Sequence, residues 1–428
     1  MVNVPALAAG YALTVDTGMD SSEVLVSTEE TDLHRDTAAS RYDGSADSIE
    51  DIAPSNAWKD GGEPSRSASP GGYDGNRDVP DDAVVVTFSD IHGYYDQLDG
   101  ALQAAEQYLQ DEGIISDPIV REEPDHLTPG EALENVEVYV VANGDMFDRG
   151  RENEKVMKSM LAMVGEAPEN VAWTLGNHDT FIARPVARSW MDPDHMADRK
   201  VYWWTMDEEY RERFLDHMAE GNIVAGVRSH NGYTIQHAST PDMDIDGLNA
   251  DLETAGAALR GAHGTDDWKD VQRAVGNGDS PYDVDSDLFA EGGVTWTRMP
   301  ENDDIADQRL MVGHDQVTSV KGEKNSASRK FPDRWRIEDS HGLGPDGWYT
   351  GGDNPYPPIR RGDTVNMNAN RPNGRRGLDH GGVAVLHHPD KLPDGDIVAV
   401  QDMGGDYRTM PMEDLPHVDE MGAHPDDI

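Results

Sequence analysis

The stretch Ala83-Val-Val-Val-Thr-Phe-Ser89, followed directly by Asp90-Ile91-His92-Gly93, decides how this chain folds. A continuous apolar and β-branched run with no polar alternation predicts a strand covered on both faces. A helix is predicted next, from Tyr95 to about Asp111, with Leu98, Leu102, Ala105 and Leu109 at helical spacing. Working outward, Val136-Glu-Val-Tyr-Val-Val-Ala142 is the second strand and Glu152 to Val164 the second helix. Val171-Ala-Trp-Thr-Leu175 is the third strand. This βαβαβ alternation predicts parallel strands joined by helical crossovers. After a helical stretch near Met206–Glu220, Ile223–Arg228 and Tyr233–His237 flank Ser-His-Asn-Gly, a hairpin signal. Leu310–Gly313, Val365–Asn368, Gly382–His387 and Asp396–Gln401 read as the remaining strands. No internal repeat is seen.

Each of the first three strands ends in polar residues that a buried strand does not need. The first ends Ser89-Asp90-Ile91-His92-Gly93, the second Asn143-Gly144-Asp145-Met146-Phe147-Asp148-Arg149-Gly150, the third Gly176-Asn177-His178-Asp179. In open α/β sheets ligands sit at the carboxyl ends of strands. Three successive ends therefore bring carboxylates, imidazoles, an amide and a guanidinium to one rim. Carboxylate, imidazole and amide oxygen without sulfur suit manganese, iron, zinc or magnesium. One carboxylate can bridge two ions that together clamp a phosphoryl group. Each cluster alone also reads as a capped turn, since Asp and Asn cap helices and Gly ends strands.

The three motifs together resemble the calcineurin-like metallophosphoesterases, nearest their phosphoprotein phosphatase branch. The family signature is Asp-x-His-Gly, Gly-Asp-x-x-Asp-Arg-Gly and Gly-Asn-His-Asp/Glu; it stands here at Asp90–Gly93, Gly144–Gly150 and Gly176–Asp179. Tyr233–Pro241 resembles the strand ending in a metal-binding histidine, Val312-Gly313-His314 the Gly-His of the last ligand, and Thr295–Arg298 the segment carrying a phosphate-binding arginine. Val365–Asn368 and Leu378–Gly382 resemble the closing strands. The resemblance covers about residues 83–402.

What it implies is specific. The fold would be a four-layer α/β/β/α sandwich of two mixed sheets. Two divalent ions would be bound, manganese first among the candidates. Asp90 and His92 would hold one, Asn177, His237 and His314 the other, and Asp145 both. Arg149 and Arg298 would hold phosphate oxygens. His178, oriented by Asp148, would protonate the leaving group, with attack by a hydroxide held between the ions. The substrate would be a serine/threonine-type phosphoprotein or a small phosphoester; a dinucleoside polyphosphate is the alternative. A structural or assembly protein keeping the fold is the non-enzymatic alternative. Departures from the pattern are Ala-Ser after His237, Asp179 where eukaryotic protein phosphatases have Glu, and Asp-Gln after His314, which argues against a nuclease. His237 and His314 each read alone as a single strand-end histidine. His380, His387 and His388 read as surface or core residues, and Trp190 and Trp203–Trp204 as helical core. Ser-based catalysis has no nucleophile-elbow motif.

Composition sets the remaining bounds. The 428 residues carry 35 Lys+Arg against 83 Asp+Glu, a net charge of −48, and only 9 of the basic residues are lysine. The acid is dispersed, which is what a salt-rich cytoplasm favours because screening removes self-repulsion; an acidic surface made for basic partners is the alternative. A halophilic cell, or a virus encoding the protein, is the expected setting. Nucleic acid is a poor partner for such a surface, and no apolar run reaches membrane-spanning length. Absence of cysteine excludes disulfides and thiolate chemistry. Met1–Val15 is mildly apolar but lacks the basic region of a signal peptide. Residues 1–80 read as an acidic, disordered or extended arm that could order on a protein partner, 81–410 as the phosphoesterase domain with insertions at about 113–134, 244–305 and 321–362, and 411–428 as an acidic tail. Thermal melting should rise with KCl over the molar range; a melting point independent of salt would contradict the halophilic reading and favour the basic-partner one.

Overall fold

Val84–Phe88 (β1) is buried along its whole length, and its side chains alternate between two apolar cores. Val84, Val86 and Phe88 face one, Val85 the other. Strands with this demand on both faces must lie inside a layered structure. The computed structural model describes residues 78–148, 150–183, 202–290, 292–297, 305, 307–314, 319–320, 336–337, 342–343, 349–350, 358–367 and 382–415. Arg149, Arg298, Trp190, His380, the Trp204 side chain, most of the N-terminal arm and of 321–362, and the tail beyond 415 lie outside them.

Parallel partners of β1 follow in order across the first sheet: β4 (Val138–Asn143), β5 (Val171–Thr174) and β6 (Ile223–Val224). The helices α1 (Tyr95–Asp111), α3 (Asn153–Glu166) and α5 (Glu208–Ala219) lie in the intervening chain. In α1 the buried residues Leu98, Ala101, Leu102, Ala105 and Leu109 form one face, and α1 packs on β1 and on the strands at its other edge. That edge is antiparallel: β16 (Val383–His387), then β17 (Ile397–Asp402), then β18 (Tyr407–Pro411). The seven strands run β18-β17-β16-β1-β4-β5-β6.

A second, five-stranded sheet runs β14-β15-β9-β8-β7, from Ile359–Arg361, Thr364–Asn366, Leu310–Val312, Thr234–Gln236 and Gly226–Arg228 respectively. It too is mixed, with β8, β9 and β15 parallel and antiparallel partners at both edges. Val85, Tyr139, Val141 and Ala172 from the first sheet meet Val227, Ile235, Met311 and Val365 from the second in one core. The expected metallophosphoesterase sandwich of two mixed sheets is therefore present.

Several boundaries differ from the sequence reading. Ile223–Arg228 is not one strand of a hairpin. Ile223–Val224 belongs to the first sheet and Gly226–Arg228 to the second. The chain changes sheets at Ala225, where Asn249 of α6 (Ile245–Ala262) accepts from the Ala225 and Gly226 amides and donates to the Gly226 carbonyl. The 113–134 insertion holds a hairpin, β2 (Val120–Glu123) with β3 (His126–Pro129), and the short α2 (Glu131–Glu134). The helical reading of 244–305 holds for α6 and α7 (Trp268–Asn277), whereas the described residues from 278 to 305 form turns and short 3-10 segments. Strands β14 and β18 were not foreseen, nor were the two-residue strands β10 (Ser319–Val320) with β11 (Arg336–Ile337) and β12 (Gly342–Leu343) with β13 (Tyr349–Thr350). Val79 is buried, and its amide donates to the Arg228 carbonyl. Trp203, in α4 (Tyr202–Thr205), is core as read.

At the amino end of β1, polar contacts tie the sheets together. His230, after β7, has Nε2 2.8 Å from the Ala83 carbonyl, and Ser229 Oγ lies 2.8 Å from Nδ1 of the buried His387. The His387 ring contacts His230 and Tyr233, and His388 stacks near His230. Burial, with His230 and His388 adding to it, pulls the His387 imidazole down to about 3. An unfolded histidine titrates near 6.5, so the folded state resists a proton that the unfolded chain accepts. This contribution to stability is complete above about pH 6.5 and is lost as pH falls towards 3, by at most about 1.4 kcal/mol per pH unit. His387→Gln should flatten the loss of melting temperature between pH 6.5 and 4.5; an unchanged slope would show that His387 does not titrate this way.

Candidate active site

The described residues of the three signature motifs, with His237 and His314, lie at the carboxyl ends of β1, β4, β5, β8 and β9. The loop after β1 pairs with the loop after β4: the Asp90, His92 and Gly93 amides donate to the carbonyls of Gly144, Asp145 and Met146. The Gly150 amide returns to the His92 carbonyl. The chain turns so sharply that Asp90, His92, Asp145, Asp148 and His314 all adopt left-handed backbone, at φ 54°, 50°, 55°, 98° and 64°. Non-glycine residues avoid this region, and such strain collects where function over-determines geometry. Close approach explains two glycines. A side chain at Gly176 would collide with the Asp145 backbone, and one at Gly313 with Ser89 and Asp90.

Backbone carbonyls set the imidazoles. His92 Nδ1 lies 2.7 Å from the Phe147 carbonyl and His237 Nδ1 3.1 Å from that of Asn143. A carbonyl only accepts, so in both rings Nδ1 carries a proton and Nε2 is the atom turned towards the carboxylates, the one that would face an ion. His92 Nε2 then sits 3.5 Å from Asp90 Oδ1 and 3.5 Å from Asp145 Oδ2. His237 Nε2 sits 3.5 Å from the other oxygen, Asp145 Oδ1, and 3.2 Å from Asn177 Oδ1. His314 Nδ1 lies 2.9 Å from the same Asn177 oxygen, while its amide donates to Asp90 Oδ2. His178 Nδ1 is 2.8 Å from Asp148 Oδ2, and its Nε2 is 4.0 Å from Asp145 Oδ2. Asp148 Oδ1 accepts from the Tyr202 amide.

Two groups of donor atoms result: His92, Asp145 and His178 in one, Asp145, His237 and His314 in the other. Asp145 belongs to both, through different oxygens. Burial pushes its carboxyl up, but His237, His178 and His92 outweigh burial and hold it below the usual range. For His237 burial pulls down, and Asp145 and Asp90 more than reverse it. Oxygen and nitrogen donors in a buried cluster without sulfur fit divalent ions such as manganese, iron, zinc or magnesium. His178 stands apart. Its side chain is 18% exposed where those of Asp145 and His237 are at 2% and 1%, so it borders the open rim.

Eight of the ten residues named from sequence are thus described, and all eight come together; Arg149 and Arg298 lie outside the described residues. Asp179 had been noted only as a departure from Glu. Its buried Oδ2 accepts from the Asp145 and Gly176 amides, and burial together with Asp145 holds its carboxyl well above the usual range. Asn143 and Ser89, quoted above only as part of the polar strand ends, both bond within the site. Trp296 meets the His314 ring edge-on at 6.0 Å, and Phe181 meets the His178 ring edge-on at 5.6 Å.

A sequence profile of the calcineurin-like phosphoesterases matches residues 83–305, more than half of the chain. The chain belongs to the calcineurin-like phosphoesterase family. It is thereby a metal-dependent phosphoric ester hydrolase. No curated protein matches it. Among solved structures it is similar to a cold-active protein-tyrosine phosphatase of a psychrophilic Shewanella species, with 15% identity, TM-score 0.39, and coverage of 79% of this chain and 84% of that one. It is similar to a protein serine/threonine phosphatase from Saccharomyces cerevisiae resembling human PP5, with 13% identity, TM-score 0.34, and coverage of 77% and 80%. A metallophosphoesterase from Sphaerobacter thermophilus aligns at 14% identity and TM-score 0.30, covering 76% and 89%. Among the described residues no helix is long and apolar enough to cross a membrane.

If Asp145 serves both donor groups, Asp145→Asn should lower bound divalent metal from about two ions per chain to below one, measured by mass spectrometry after dialysis. Retention of two ions would contradict the shared position.

Proposed function

We propose that the protein is a serine/threonine-type phosphoprotein phosphatase. The observation that carries this reading is the His178–Asp148 pair, with Nδ1 2.8 Å from the carboxylate and the ring at the open rim. A serine or threonine alkoxide leaves badly without a proton, and a positioned imidazolium supplies one. Asp148 holds the ring in one orientation, as the carboxylate of a catalytic triad does. His178 Nε2 then donates its proton to the departing oxygen. Asp90 and His92 would hold one divalent ion and Asn177, His237 and His314 a second, with Asp145 facing both donor groups. When bound, the ions supply positive charge for the phosphoryl oxygens and activate the attacking water. Arg149 and Arg298 bind phosphate oxygens on this reading, which for them rests on the sequence motifs alone.

Manganese is the proposed metal. The net charge of −48 with few lysines supports a salt-rich cytoplasm, of a halophilic cell or one carrying a virus that encodes the protein. The polar N-terminal arm is proposed to bind a protein partner, on composition alone.

His178→Asn should keep both ions and lower kcat on a phosphoserine peptide by a factor of about 10²–10⁴. On nitrophenyl phosphate, whose leaving group is a weak base, the loss should be small. Equal losses on both substrates would make His178 a phosphate-positioning residue. Loss of an ion would make it a ligand, the role its proximity to His92 and Asp145 also permits.

A further inference from the structure

We infer that Asn143 is a positioning residue whose buried side-chain amide sets how far the two ligands on the second sheet reach towards Asp145. The inference rests on the proposal that His237 and His314 hold an ion. It concerns a residue that carries no donor atom to that ion.

Tyr139, Val141 and Asn143 occupy one face of β4, the face turned to the second sheet. Alternation calls for another apolar residue at 143. A fully buried amide stands there instead, and each of its polar atoms is used. Nδ2 donates to the Gln236 carbonyl at 3.0 Å and to the Met311 carbonyl at 3.4 Å, and Oδ1 accepts from Thr174 Oγ1 at 2.6 Å. Its backbone carbonyl accepts from Ser89 Oγ and from His237 Nδ1. Gln236 immediately precedes His237, and Met311 lies three residues before His314. One residue on the strand that leads to Asp145 therefore clips both ligand-bearing strands of the other sheet.

No ladder bond links β4 to β8 or β9, because they lie in different sheets. Apolar packing between sheets is non-directional and tolerates small slides. Metal ligation tolerates only about 0.2 Å. Directional bonds between the sheets, placed beside the ligands, supply what packing does not.

The test compares metal-free wild type, Asn143→Leu and Thr174→Val, each titrated with Co2+ by calorimetry and visible absorption, with folding checked by near-UV circular dichroism. Wild type should bind two ions. Asn143→Leu should weaken one of them by about 10- to 100-fold, the range for losing a group that orients a ligand, and leave the other within about twofold. In a His314→Ala background the same substitution should add little, since both changes act on one ion. If Asn143→Leu does not fold, Thr174→Val, which removes one bond to the amide and little volume, should weaken the same ion by a smaller factor. Unchanged affinities, equal weakening of both ions, or full additivity with His314→Ala would overturn the inference. A wild type that binds two ions yet hydrolyses no phosphoester would sink the proposed function and leave this inference intact.

Discussion

Asp145 carries a buried charge at the junction of the two sheets, and the rest of the site is arranged around that charge. Burial opposes it; His92, His178 and His237 favour it. Two of these histidines come from the first sheet and one from the second, so the charge is balanced only while the sheets keep their offset. Left-handed turns at Asp90, His92, Asp145 and Asp148 fold the strand ends back over one another. Each such residue costs on the order of 1–3 kcal/mol. The sandwich core and the backbone bonds between the two loops hold these turns in place.

Polar contacts between the sheets mark both ends of the sandwich. At the amino end of β1 they are His230 with Ala83 and Ser229 with His387. At the carboxyl end they run through Asn143. Between them the sheets meet through Val85, Tyr139, Val141, Ile235 and Met311. An apolar middle supplies stability without direction, and hydrogen bonds at the rims supply register.

Much of this was legible in the sequence, for physical reasons. Parallel strands buried on both faces read as unbroken apolar runs, so β1, β4 and β5 stood out, as did the polar residues that end them, which a buried strand does not need. The sheet change at Ala225 was not legible, because Ile223–Arg228 has the same β pattern whether it serves one sheet or two. The strands β14 and β18 were missed because Ile359–Arg361 and Tyr407–Pro411 are partly exposed edge strands with few apolar residues. The grouping of Asp90, His92, Asp145, Asn177, His178, His237 and His314 was reached through the family signature rather than from spacing. Asn143 escaped because its role depends on Gln236 and Met311, far along the chain and paired to it only by folding.

Anomalous diffraction from crystals grown with Mn2+ tests the central claim most directly, that one centre is assembled from both sheets around Asp145. Two peaks about 3.5–4 Å apart, one on the His92 side of Asp145 and one between His237 and His314, are the predicted result. A single peak, or two that leave His237 and His314 uncoordinated, would contradict it.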